Sequence, residues 1–167
     1  MDQKYHLFYE LAYNLAQVAY DQDEVPVGAV IIKDSTFEVI SSSYNQMKQN
    51  RSSIDHAEML ALKIAMARLD NERLKGCSMI ITLEPCPMCA QAISFARLSN
   101  IIFSAEDEKS GGVVNGPLIY NSPSCHHKPS IIRINDGGRS NKLLKKFFQN
   151  HWKAIKIITN QSCRPFC

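Results

Sequence analysis

Asp55-His56-Ala57-Glu58 and, further along, Pro85-Cys86-Pro87-Met88-Cys89 are the stretches on which the reading of this 167-residue chain turns. His56, Cys86 and Cys89 together offer a zinc ion one imidazole and two thiolates, and Glu58 sets a carboxylate two residues from the imidazole. Structural zinc sites normally close all four positions with Cys or His. Three protein ligands instead leave one position open for a water that the metal makes acidic enough to attack a substrate. The set therefore reads as catalytic, with Glu58 as the proton carrier.

Helical geometry constrains where these residues can meet. His56 and Glu58 would sit about 200° apart around a helix, so they converge only over its N-terminal end. Cys86 and Cys89 are three residues apart and share one side of a helical first turn, where Pro85 and Pro87 are tolerated because no intrahelical N–H is needed. The positive end of that helix favours thiolates. Two helix N-termini are thus expected to meet at one zinc per chain. H-x-E paired with P-C-x-x-C is also the known signature of zinc-dependent nucleobase deaminases.

The pattern on either side of the motifs sets the fold. Val27 to Lys33 and Cys77 to Leu83 are nearly continuous apolar runs, as expected of strands buried on both faces. Phe37 to Tyr44 reads as an antiparallel partner after the Lys33-Asp34-Ser35-Thr36 turn, and Asn45 to Ser53 as a polar loop into the first motif. Ile54 to Leu69 and Pro85 to Arg97 read as helices, Ile101 to Phe103 as a strand and Ile131 to Ile134 as a last short one. At the N-terminus, Tyr5 to Tyr20 reads as a helix that packs on the core through Leu7, Phe8, Leu11, Ala12, Leu15, Val18 and Ala19. The alternation β-β-α-β-α-β predicts an α/β fold, a mixed sheet with helices on both faces and its ligand site beyond the carboxyl end of the Cys77–Leu83 strand.

With 45% hydrophobic residues the chain is expected to form a single domain spanning 1–167. No apolar run reaches the roughly 18 residues of a membrane span, and Met1-Asp2-Gln3-Lys4 lacks signal-peptide character, so a cytoplasmic location is expected. A reducing compartment leaves Cys77, Cys125, Cys163 and Cys167 as thiols, with a second metal site at Cys125-His126-His127 as an alternative. The net charge of +3 is unevenly spread: Gly137 to Cys167 holds seven Lys or Arg and no acid, whereas the preceding 136 residues hold twelve basic and sixteen acidic residues. Residues 137–167 thus read as a basic C-terminal helical segment, either directed at an anionic partner or an ordinary solvated face. Within it Leu143, Leu144, Phe147, Phe148 and Trp152 form an apolar stripe beside Lys142, Lys145, Lys146 and Lys153. Phe147 and Phe148 read as core anchors or as platforms for bases.

With these residues in place, the chain resembles the bacterial-type tRNA-specific adenosine deaminase family over almost its whole length. The matching residues are Glu24-Val25-Pro26-Val27-Gly28-Ala29-Val30, Asn45, His56-Ala57-Glu58, Leu83 to Ala90, Asp107-Glu108-Lys109-Ser110-Gly111, and Leu143-Leu144 with Phe147-Phe148. The resemblance implies a three-layer α/β/α cytidine-deaminase-like fold with a five-stranded mixed sheet, and a homodimer. It implies conversion of the wobble adenosine of a tRNA anticodon stem-loop to inosine, with Asn45 holding the target nucleotide and Asp107 contacting the RNA beside it. Cys125 to Pro129, Gly111 to Asn115 and Ser162 to Cys167 depart from the family pattern. Two other readings compete. A deaminase of guanine, cytosine or a free nucleoside would share the zinc site without needing a basic terminal helix. A non-catalytic RNA-binding subunit would have no use for Glu58.

Overall fold

The computed structural model describes residues 3–161, with side chains over 4–151. Its elements are α1 (Gln3–Asp21), β1 (Gly28–Lys33), β2 (Val39–Tyr44), α2 (Ala57–Leu69), β3 (Cys77–Leu83), α3 (Pro87–Phe95) and β4 (Asn100–Ala105). A 3-10 turn (Ile119–Asn121), β5 (Ser130–Arg133) and α4 (Arg139–Gln161) follow. The sheet order is β2-β1-β3-β4-β5, with β1 antiparallel to both of its neighbours and β3, β4 and β5 parallel.

The unbroken apolar strands are explained by cover on both faces. Ala29, Ile31, Met79, Ile81, Ile101 and Phe103 pack with Ala57, Ala61, Leu62 and Ala65 of α2 and Ala90 and Ile93 of α3. The alternate residues Val30, Ile32, Ile80 and Ile102 pack with Tyr5, Tyr9 and Ala12 of α1. Period-two side-chain direction thus feeds two separate cores, and the fold is the expected three-layer α/β/α arrangement.

On α1 the buried stripe differs from the expected one. Tyr5, Tyr9, Ala12, Ala16 and Ala19 face inward, while Leu7, Leu11 and Val18 are exposed. The reason is close approach: a Cβ on Gly28 would collide with the backbone of Ala12 and Ala16, so small side chains at these two positions let α1 lie this near to β1. Leucines on that face would hold the helix away.

The helix that closes the chain docks on α1. Tyr9 Oη lies 2.7 Å from Ser104 Oγ on β4 and 2.7 Å from Ser140 Oγ on α4, and donates to Asp136 Oδ2 at 2.6 Å. Asp136 also accepts the Ser140 N–H at 2.8 Å, so one acid caps α4 and ties it to both neighbours. Further along, Arg139 pairs with Glu10, and Asn150 Nδ2 donates to Tyr20 Oη at 3.0 Å. The expected pair of aromatic anchors splits. Phe147 is buried edge-on to Tyr20, whereas Phe148 is 48% exposed. The side chains of Trp152, Lys153 and Lys156, and all of Ser162 to Cys167, lie outside the described residues. No helix among the described residues is long and apolar enough to cross a membrane.

Candidate active site

Because β1 runs antiparallel between them, β2 and β3 point the same way, and the segments that leave their carboxyl ends come off one edge of the sheet. The loop after β2 leads to α2, and the short link after β3 leads to α3. His56 is the N-cap of α2 and Cys86 the N-cap of α3, both in extended backbone, with Pro87 at the first position of α3. The helices therefore begin later than the sequence pattern suggested, at Ala57 rather than Ile54 and at Pro87 rather than Pro85. That shift takes His56 and Cys86 off the helical surfaces and leaves them at the tips.

There His56 Nδ1 lies 3.7 Å from Cys86 Sγ and 3.6 Å from Cys89 Sγ. Zinc bonds of about 2.0–2.1 Å to nitrogen and 2.3 Å to sulfur at a tetrahedral angle place the two donors roughly 3.6 Å apart. His56 thus already lies at the spacing of a tetrahedral edge from each of the two thiols, and the three side chains fit one zinc per chain. Electrostatics agrees with this donor set. The hydrogen bond from Cys89, and then His56, draws the Cys86 thiol down to about 4, while Cys89, donating that bond and buried, is pushed up. The hydrogen bond to Cys86 in turn raises the proton affinity of the His56 imidazole. Among the described residues no second such group forms at Cys125-His126-His127. Cys125 is buried against Ser94, and His127 Nε2 lies 2.6 Å from the Leu98 carbonyl.

Glu58 occupies the first turn of α2 and is only 4% exposed. Burial pushes its carboxyl up to about 7, where a side chain can both take and return a proton at neutral pH. Asn45 is also buried, and its Oδ1 accepts the N–H of Ala57 at 2.9 Å. It thereby satisfies an orphan donor of α2 and fixes the backbone next to His56. Its Nδ2 makes only a 4.0 Å contact with Met47 Sδ. Asp107 lies in the loop after β4, where its Oδ1 accepts the N–H groups of Lys109 and Ser110 at 3.1 and 3.0 Å and so shapes its own turn.

The residue whose part in this region went unread is Glu84, which stands between β3 and the metal motif and is 2% exposed. Burial alone would push its carboxyl up, yet hydrogen bonds from Asn115, Val114 and Asp107 hold it below the usual range. An acid closing an otherwise apolar strand was the available signal, since a buried charge requires partners.

Comparison with known proteins follows the same lines. The family model described as the cytidine and deoxycytidylate deaminase zinc-binding region matches residues 2–105. The tRNA-specific adenosine deaminase of Agrobacterium fabrum is 39% identical over 142 residues, which is 85% of this chain and 92% of that relative. Its counterpart in Rickettsia typhi is 37% identical over 146 residues, 87% of this chain and 99% of the relative. A tRNA:A34 deaminase whose structure was solved in a study of A-to-I editing at the wobble position superposes with a TM-score of 0.76 at 40% identity, covering 78% of this chain and 99% of its own. The guanine deaminase of Nitrosomonas europaea shares the fold, with a TM-score of 0.72 at 19% identity over 83% of this chain and 81% of its own.

Proposed function

Because the chain belongs to the tRNA-specific adenosine deaminase family, we propose that it converts the wobble adenosine of a tRNA anticodon loop to inosine, with water entering at C6 and ammonia leaving. One observation carries this reading beyond family membership. His56, Cys86 and Cys89 stand at tetrahedral zinc spacing while a buried carboxyl with a proton affinity near neutrality, Glu58, lies at the same helix tip. Zinc, when held by these three residues, supplies the Lewis acid for activating water.

The chain's own residues do the rest. Glu58 takes a proton from the attacking water, delivers it to N1 of the adenine and then assists protonation of the departing amine. Ring attack at C6 needs that proton, because N1 otherwise accumulates negative charge. Asn45 holds the target nucleotide through its weakly engaged Nδ2 while Oδ1 secures α2. Asp107 contacts the RNA beside the target.

The chain acts as a single deaminase domain with a basic C-terminal segment, of which α4 (Arg139–Gln161) is the described part. Lys142, Lys145 and Lys146 are exposed on α4. The same helix reaches the loop that carries Asn45, where His151 Nε2 lies 3.2 Å from Lys48 Nζ, and the turn after α1, where it lies 3.0 Å from Asp23 Oδ1. This supports phosphate contacts close to the zinc centre, where unstacking a loop base costs a few kcal/mol that the flanking strand has to supply. The protein works in the cytoplasm as a homodimer. Ile64 of α2 and Phe95 of α3, 46% and 72% exposed on the same side of the sheet, offer apolar surface for such contact.

The test is incubation of pure protein with an anticodon stem-loop and, separately, with free guanine, cytosine and nucleosides, measuring inosine and ammonia. Inosine at the wobble position is expected. Turnover of the free compounds alone would transfer the assignment to a small-molecule deaminase.

A further inference from the structure

Glu84 gathers one loop around a single carboxylate. Its Oε1 accepts the backbone N–H groups of Val113, Val114 and Asn115 at 3.0, 2.8 and 2.9 Å. Its Oε2 accepts the N–H of Asp107 at 3.1 Å and Nδ2 of Asn115 at 2.7 Å. Two glycines then let the loop close on the metal motif. A Cβ on Gly111 would fall 2.5 Å from the Glu84 carboxyl carbon, and one on Gly112 would fall 2.6 Å from Pro87 N and 2.9 Å from the Cys86 carbonyl carbon. The Gly112 N–H donates to the Pro85 carbonyl at 2.9 Å. The loop is therefore seated on the backbone that carries a zinc ligand, with Val113 buried beneath it and Glu108, Lys109 and Ser110 exposed on its outer edge.

We propose that Glu84 is a positioning residue for the substrate: its carboxylate sets the loop from Glu106 to Asn115 on the N-terminal end of α3, so that the edge from Asp107 to Ser110 meets the RNA strand entering the site. The inference rests on the reading of an RNA substrate given above. A carboxylate is the suitable side chain because five donors converge on it and an amide would turn an NH2, itself a donor, toward some of them. It also gives the departure at Gly111 to Asn115 a reason. Whatever the side chains at 113 and 114, their backbone N–H groups are what Glu84 holds, and glycine at 111 and 112 is what the close approach requires.

Glu84→Gln tests this with little change of volume. The amide keeps an oxygen for Val113, Val114 and Asn115 but turns an NH2 toward the Asp107 N–H and Asn115 Nδ2, donor against donor. The expected result is a KM for the anticodon stem-loop raised about 10- to 100-fold, the range corresponding to loss of a charged hydrogen bond. The fall in kcat should be much smaller and the zinc content unchanged, while amide hydrogen exchange at Asp107, Val113, Val114 and Asn115 should accelerate. Adding Asn115→Asp gives the new amide an acceptor and should recover part of the KM. An unchanged KM despite faster exchange, a loss confined to kcat, or no recovery in the double variant overturns the proposal. Wild-type protein that makes no inosine from the stem-loop overturns the RNA reading instead, and the exchange rates still decide whether Glu84 holds the loop.

Discussion

Replacing Glu58 by glutamine separates catalysis from folding more sharply than any other change at the centre. The side chain is buried, and the donors that set the tetrahedron belong to His56, Cys86 and Cys89. A neutral side chain of nearly equal size fits the same space and keeps an oxygen for the hydrogen bond that Cys89 makes to Glu58. It removes a carboxyl that burial has pushed up to about 7, the range in which one group serves as base and then as acid at neutral pH. Loss of general acid–base catalysis costs about 10²- to 10⁴-fold in rate, or roughly 3–5 kcal/mol of transition-state stabilisation. Stability should not fall, because an uncharged amide avoids the cost of holding a carboxylate in that environment. Single-turnover deamination of an anticodon stem-loop measures the rate, with elemental analysis and thermal unfolding on the same sample. A zinc-loaded, fully folded Glu58→Gln protein that turns over within tenfold of wild type would remove Glu58 from the mechanism.

Elemental analysis should find one zinc per chain, reduced to a small fraction in His56→Ala or Cys89→Ser, and a chelator should lower the melting temperature of wild type but not of these variants. Replacing Lys142, Lys145 and Lys146 by glutamine should flatten the plot of log affinity for the stem-loop against log salt by roughly 1.4–2.1, at about 0.7 per single-strand phosphate for two to three contacts. An unchanged slope would make this helix face ordinary solvated surface. Tyr9→Phe removes a hydroxyl shared by Ser104, Asp136 and Ser140 and should cost about 1–3 kcal/mol, seen at about 2–4 °C of melting temperature per kcal/mol. The same variant changes the acid limb. Although burial opposes it, hydrogen bonds from Tyr9 and Ser140 hold Asp136 below its ordinary value of 3.8, so its contribution is present above that pH and is lost as pH falls through the lower folded value. Unfolding of Tyr9→Phe followed from pH 6 down to pH 2 should therefore show a smaller acid-dependent loss than wild type, and an identical loss would exclude Tyr9 as the cause.

The local chemistry of this protein was legible in the chain because it depends on donor type and short spacing. An imidazole, two thiols three residues apart and a nearby carboxylate offer the donors of a zinc centre wherever they are brought together, and the nearly continuous apolar runs identified both central strands. Position relative to the sheet was not legible, because it depends on what a segment packs against. Leu7, Leu11 and Val18 have the apolarity of a buried stripe, but Gly28 admits α1 only along its alanine face. Phe147 and Phe148 are identical in sequence terms, and the approach of Tyr20 decides which one is buried. Glu84 shows the limit most clearly. One acid beside a proline says nothing about a loop more than twenty residues away, and only the folded chain, with glycines at 111 and 112 in place, brings five hydrogen-bond donors to its carboxylate.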